Sequence, residues 1–239
     1  MTERGALPLV MLGDSHCTNF GKAMKEMGAP ILGGPLGAAS AFTAETLPVD
    51  QGPLRLAGEL GERFRVFARV AGITSLADCR GRLVVSLGLA AARFYGSFDW
   101  RRVATGAPAD PRKQHVSDAV LEAIIDAMQA PVVAFVDRLA AEGLLVCSIA
   151  GPPPQARHPA VAALGAAGVL ALEARYRQPM LDLLARHGIP VAVAPEVTTE
   201  QGLLRQEFWG DDHAHGNIAY GRQVIATVLR ITVPQHAQT

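Results

Sequence analysis

The sequence predicts an α/β protein, a three-layer α/β/α sandwich on a mainly parallel sheet. Two observations carry that expectation. Short apolar runs of strand length recur along the 239 residues, separated by stretches with helical spacing, the order expected of βαβ units. Hydrophobic residues make up 49% and charged residues 18%, enough apolar surface for a full core and too little charge for disorder. One domain over residues 1–239 is the simplest organisation for this length.

Each element has its own signal. Residues 7–12 form a continuous apolar run ending at Gly13, as in a strand buried on both faces. Residues 19–27 have helical composition and stop before Gly28. A short apolar segment around Ile31 follows, and then Gly33, Gly34 and Gly37. Residues 82–87 and 144–149 are further strand-length apolar runs. Between them Ser117 can cap a helix in which Val120, Leu121, Ile124, Ile125 and Met128 recur at helical spacing. Pro131 is expected to kink or divide that helix before it resumes through Leu139. Residues 170–187 read as a helix closed by Gly188, 189–194 as a strand, and 216–229 as the last helix.

Two stretches fit the alternation less directly. Residues 41–80 hold Phe42, Pro48, Pro53 and a mixed-charge segment at 54–71, expected to be a helix or a small inserted lid or subdomain. Residues 95–115, rich in Pro, Gly and Arg and carrying Phe98 and Trp100, read as a long loop. Long loops in compact domains are often binding elements, and substrate choice is expected there. Gly151 and Pro152 to Pro154 read as a stiff connector after a strand.

The chemistry concentrates at the two ends. The first strand breaks into Gly13-Asp14-Ser15-His16, and the chain closes with Asp212-His213-Ala214-His215-Gly216-Asn217 before the last helix. A serine hydroxyl is a weak nucleophile and needs an imidazole within hydrogen-bond reach and an acid to orient it. The offset from Asp212 to His215 lets one local segment deliver both to Ser15. Either motif alone has a bland reading, as turn composition or as an acidic helix start. In a parallel sheet, however, both fall at strand carboxyl ends, where ligand crevices lie.

These motifs resemble those of the SGNH, or GDSL-type, hydrolases. Gly13, Asp14 and Ser15 match the first block of that superfamily; Asp212, His215, Asn217 and Tyr220 match the last. The resemblance implies a flavodoxin-like fold, Ser15 as nucleophile, His215 as base and Asp212 as its orienter. It further implies cleavage of an ester or thioester. The oxyanion glycine of the second block falls on Gly37. The third block, Gly-x-Asn, aligns with Gly88-Leu89-Ala90-Ala91, so the asparagine position holds alanine. Only Asn19 and Asn217 exist in the chain, and losing one oxyanion donor costs about two to three orders of magnitude in turnover. Either another group supplies the donor, with Arg93 the nearest candidate, or turnover is slow, or the protein is not a hydrolase. His16 either contacts substrate or sits at the pocket rim. His213 competes with His215 as base; His115, His158, His187 and His236 carry no partner pattern and are expected at the surface.

Other classes are weighed on the same residues. Asp14-x-His16 with His213-x-His215 also suits the terminal motifs of a two-metal phosphoesterase, but that chemistry needs further Asp, Asn and His ligands from mid-chain, where no asparagine stands between residues 20 and 216. A catalytically silent scaffold of the same fold is the non-enzymatic alternative, and acyl transfer to an alcohol is the variant of hydrolysis. No nucleotide motif is present, so no cofactor is expected. Cys17, Cys79 and Cys147 match no zinc spacing; Cys147 is expected to be buried, and Cys17 to pack rather than react. With 22 acidic and 22 basic residues, nucleic-acid binding is not expected. The first twelve residues lack a signal-peptide pattern, and the longest apolar run noted, 159–172, is too short to span a bilayer. The expected protein is cytoplasmic and acts on a small acyl ester, with no membrane partner.

Overall fold

The computed structural model describes residues 8–49, 52–105 and 111–232. Its centre is a five-stranded, all-parallel sheet made of β1 (Leu9–Gly13), β2 (Ile31–Pro35), β3 (Leu83–Ser86), β6 (Leu145–Ile149) and β7 (Val191–Ala192). The strands lie in the order β2-β1-β3-β6-β7. That order reverses direction between β1 and β3, which makes their carboxyl ends the switch point where doubly wound sheets bind ligands.

Period-two alternation assigns the layers. Val10, Leu12, Leu83 and Val85 face a core shared with α2 (Gly58–Ala71), α4 (Asp118–Ala141) and the second half of α5 (Pro159–Arg186). Met11, Val84 and Cys147 face the other way, against α1 (Cys17–Met27) and α6 (Ile218–Thr232). Helices therefore cover both faces, and β1 and β3 are apolar but for Ser86 at the end of β3, because neither face meets water.

The segment expected as a lid or subdomain at 41–80 contains α2 and a capped 3-10 turn at Leu76–Cys79. Phe42, Leu47, Leu54, Leu60 and Phe64 pack into the same core as β1 and β3. The stretch 95–115, expected as one long loop, contains regular structure on either side of residues 106–110, which lie outside the described residues: the end of α3 (Ala92–Gly96) and two parallel three-residue strands, β4 (Val103–Thr105) and β5 (Gln114–Val116). The cause is aromatic: Phe94 packs on Phe98, Trp100 and Tyr176, a cluster that loop composition alone does not reveal.

Two helix expectations need correction. Pro131 does not divide α4, which continues through it. Proline removes one hydrogen bond and strains the preceding turn, but Val132, Phe135, Val136 and Leu139 bury the following turns and hold the helix together. The helix expected from residue 170 begins eleven residues earlier, at Pro159, and is broken only at Gly165, with φ 73°. The His158 ring caps it, its Nδ1 accepting the Ala160 N–H at 3.1 Å. α4 is also long and apolar enough to cross a bilayer, though a third of its most apolar window is buried in the fold.

Candidate active site

The site is assembled by two helices that start side by side. α1 and α6 pack closely, and a Cβ on Gly221 would stand 2.8 Å from the Asn19 carbonyl and 3.1 Å from Ala23. Only glycine permits that approach. The loops entering the two helices are thereby brought together: 14–16 after β1 and 210–217 before α6. Asn19 Nδ2 fastens them by donating to the Gly216 carbonyl at 2.7 Å.

Gly13 sets the other side. A Cβ there would lie 2.6 Å from both Cys17 Sγ and the Ser86 carbonyl. Gly13→Ala is expected to destabilise the fold by about 1 to 3 kcal/mol, the usual range for forced overpacking of a core. A drop in the urea midpoint of more than a few tenths molar would register it.

Ser15 is half-buried at the end of this turn. Its hydroxyl lies 2.9 Å from His215 Nε2, and His215 Nδ1 lies 2.8 Å from Asp212 Oδ2. Asp212 Oδ1 accepts the N–H groups of Ala214 and His215, both at 2.8 Å. Burial is the largest single influence and raises the pKa, but the two backbone hydrogen bonds and the His215 imidazole together outweigh it and lower the carboxyl to about 2. A depressed carboxylate contributes stability above its unfolded value and loses it as pH falls through the folded one. Asp212 therefore stays ionised at any pH where the fold is assayed, and the acid limb of any activity belongs to another group.

The base loop is held from behind by residues that carry no motif. Gln155, 1% exposed, donates from Nε2 to the carbonyls of Asp212 and His215 at 3.0 and 2.8 Å. Arg157 donates to the carbonyls of Gly210 and Asp212, both at 2.6 Å, and lies over the Trp209 ring. Neither was readable in the sequence, because an isolated Gln and Arg after a proline run look like any connector.

Of the other expected residues, Gly88 and Arg93 border a small cavity with Asp14, while His16 and Gly37 are buried and do not line it. His16 is buried against the ring of His215, with centroids 4.6 Å apart. Gly37 is buried behind β2, where a Cβ would meet Leu60 and Ala41 at 3.0 and 3.2 Å. Gly88 has φ 74°, and its carbonyl accepts Gln129 Nε2 at 2.8 Å. Arg93 is exposed at the rim and reaches the Ala39 carbonyl at 3.4 Å. Ala90 packs against Gly151. Arg177 ties the two loops beneath, donating to the carbonyls of Leu89 and Gly151, both at 2.9 Å. Its partner Glu173, at 2.7 Å, is pushed up to about 7 by burial.

A cavity of about 20 Å³ is bounded by Asp14, Gly88, Ala90, Arg93, Gln129 and Tyr176 among others. A larger one, about 720 Å³, opens beside the base loop, with Tyr95, Phe98, Trp100, His158 and His213 in its wall. His213 turns its ring to His158, 5.1 Å away, and not to Ser15. His158 is thus not the surface residue expected; it is buried, and burial, with the charge of His213, lowers its pKa from the ordinary value. His187 pairs with Asp137 at 2.7 Å, and His236 lies outside the described residues. All three cysteines are free and buried, and burial holds the Cys17 thiol well above its ordinary value. Among the described residues, no three His, Cys, Asp or Glu side chains converge so as to hold a metal ion.

Solved structures with the same architecture carry the comparison. A GDSL-like lipase from Bacteroides thetaiotaomicron superposes with a TM-score of 0.50 at 11% identity, covering 95% of this chain and 87% of that one. A protein classed in the G-D-S-L family of lipolytic proteins, from Desulfitobacterium hafniense, gives 0.51 at 11% identity, over 94% and 99%. The chain has the GDSL-type hydrolase fold. The flavodoxin-like α/β/α sandwich expected from the outer motifs is therefore borne out. No family model matches the chain, and no curated protein does. At such identity the likeness extends to the GDSL-type fold and not to its chemistry, so the roles of Ser15, His215 and Asp212 rest on their own geometry.

Proposed function

We propose that the protein is a serine ester hydrolase, or an acyl transferase of the same chemistry, working through an acyl-enzyme on Ser15. One observation carries the reading: the unbroken chain from Ser15 Oγ through His215 to the ionised Asp212. Asp212 accepts Nδ1–H, which leaves Nε2 unprotonated and facing the serine hydroxyl, the tautomer a general base requires.

In this reading Ser15 Oγ attacks the acyl carbon as its proton passes to His215 Nε2. The tetrahedral oxyanion is held by the N–H groups of Ser15 and Gly37. Arg93 is the candidate for the donor that asparagine supplies elsewhere, because it stands on the rim beside Ala90. His215 returns the proton to the departing alcohol, then takes one from water, or from an acceptor alcohol, as that attacks the acyl carbon, and passes it to Ser15 Oγ as the acyl–Oγ bond breaks. The small cavity beside Asp14 supports a short acyl group such as acetyl, since 20 Å³ admits little more than one water-sized group. The larger cavity beside His213 would take the alcohol portion.

Intact-mass measurement after treatment with a fluorophosphonate probe tests the reading. One adduct per chain, mapped to the peptide containing Ser15 and formed equally with EDTA present, is expected. Unlabelled protein, or labelling confined to another peptide, would overturn it.

A further inference from the structure

A second acid–imidazole pair stands directly behind the first. Asp14 is 3% exposed and His16 is 7% exposed, and His16 Nδ1 lies 2.7 Å from Asp14 Oδ1. The same carboxylate oxygen accepts the His16 backbone N–H at 3.0 Å. Across the ring, His16 Nε2 faces the Ala214 carbonyl at 3.3 Å. Both ring nitrogens thus face acceptors. A neutral imidazole can donate from only one nitrogen, so it would leave the other lone pair opposed to an oxygen. An imidazolium satisfies both.

We propose that His16 is an imidazolium, held by Asp14, that pins the base loop through the Ala214 carbonyl and so fixes the position of His215 beside it. The role rests on the reading of His215 as base and adds a positioning residue to it; His16 itself is too enclosed to touch substrate.

The surroundings agree. Burial alone would pull the proton off His16, yet the charge and hydrogen bond of Asp14, the Ala214 carbonyl and the charge of Asp212 together raise its pKa above the ordinary value. The other groups facing the pair are few. Cys17, which begins α1, keeps its proton in this burial. Tyr176 from α5 and Arg93 from α3 meet Asp14 across the small cavity, and the Tyr176 phenol, pushed up to about 12 chiefly by burial, stays neutral. No other described cation lines that cavity. A histidine with a raised folded pKa contributes its full stabilisation below about 6.5, the unfolded value, and loses it as pH rises through the folded one.

The test compares wild type with His16→Gln and Asp14→Asn. Glutamine can still donate to the Ala214 carbonyl but carries no charge, so it separates a strut from a charge. Proton–nitrogen spectra of the histidine rings, recorded from pH 5 to 9, read both imidazoles whether or not the protein turns over substrate. The expected result is a His16 ring with both nitrogens protonated at pH 7. Asp14→Asn should strip one of those protons at pH 7, by removing the counter-ion that keeps His16 charged. The stability difference between wild type and His16→Gln should be larger at pH 6 than at pH 9. A His16 ring with one bare nitrogen at pH 7 overturns the proposal, as does a stability difference between wild type and a folded His16→Gln that does not change with pH. Absence of turnover and of fluorophosphonate labelling in wild type would instead overturn the hydrolase reading, a separate outcome from either.

Discussion

Ser15→Ala is expected to abolish fluorophosphonate labelling and to lower ester turnover by at least about three orders of magnitude, with the fold intact. The size follows from the role proposed for the hydroxyl: without it no acyl-enzyme forms, and only binding and the oxyanion donors remain to act on water. The fold should survive because Ser15 is half-buried and the hydrogen bond its hydroxyl makes is to the His215 ring. Loss of an exposed-end hydroxyl of this kind falls within a few tenths of a kcal/mol of neutral. The variant protein should therefore melt within about two degrees of wild type. Wild-type turnover in a folded Ser15→Ala would remove Ser15 from the mechanism, and a collapse of the melting temperature would show that the hydroxyl is structural.

Asp212→Asn has the next largest expected effect. The asparagine carbonyl oxygen can keep the two backbone N–H groups of Ala214 and His215 that the aspartate Oδ1 now accepts. Its amide nitrogen then faces His215 Nδ1 as a donor, which forces the imidazole proton to Nε2 and points N–H, not a lone pair, at Ser15. A buried triad aspartate is worth about four orders of magnitude in the reference case. The Asp212 side chain is about half exposed, at 54%, so water can rescue the correct tautomer part of the time. The expected loss in kcat is about two to three orders of magnitude, with KM nearly unchanged because the residue does not face the cavities. Burst kinetics with an activated ester would place the loss in acylation. A KM increase with unaltered kcat would instead make Asp212 a binding residue.

Much of the framework is legible in the residues themselves. Residues 7–12 read as a buried parallel strand because their apolar run is unbroken, and 82–87 as another on Leu83, Val84, Val85 and Leu87; both lie in the sheet centre within two residues of those bounds. α6 is likewise legible, since its buried face, Tyr220, Val224, Ile225 and Val228, keeps helical spacing. The errors arise where local signals compete with packing. Pro131 is a helix breaker by propensity, and the core packing of α4 overrides it. Residues 159–169 are small and apolar, with two glycines, and nothing in them separates helix from loop until His158 caps them and Tyr176 on the following turn finds Phe94.

At the candidate site the sequence alone determined which side chains are capable of proton chemistry. Serine, histidine and aspartate are few and functionally distinct side chains, and their local offsets persist in any fold: Asp212 can reach His215 whatever the rest of the chain does. Tertiary structure decided everything that depends on residues distant along the chain. The approach of Ser15 to His215 spans two hundred positions and exists because Gly221 lets α6 lie against α1. The choice of His215 over His213, and the burial of His16 behind it, follow from how Gln155, Arg157 and Asn19 pin the 210–217 loop. Those contacts join single residues of ordinary type, which leave no periodicity or spacing to read, and so their meaning appears only once the chain has closed on itself.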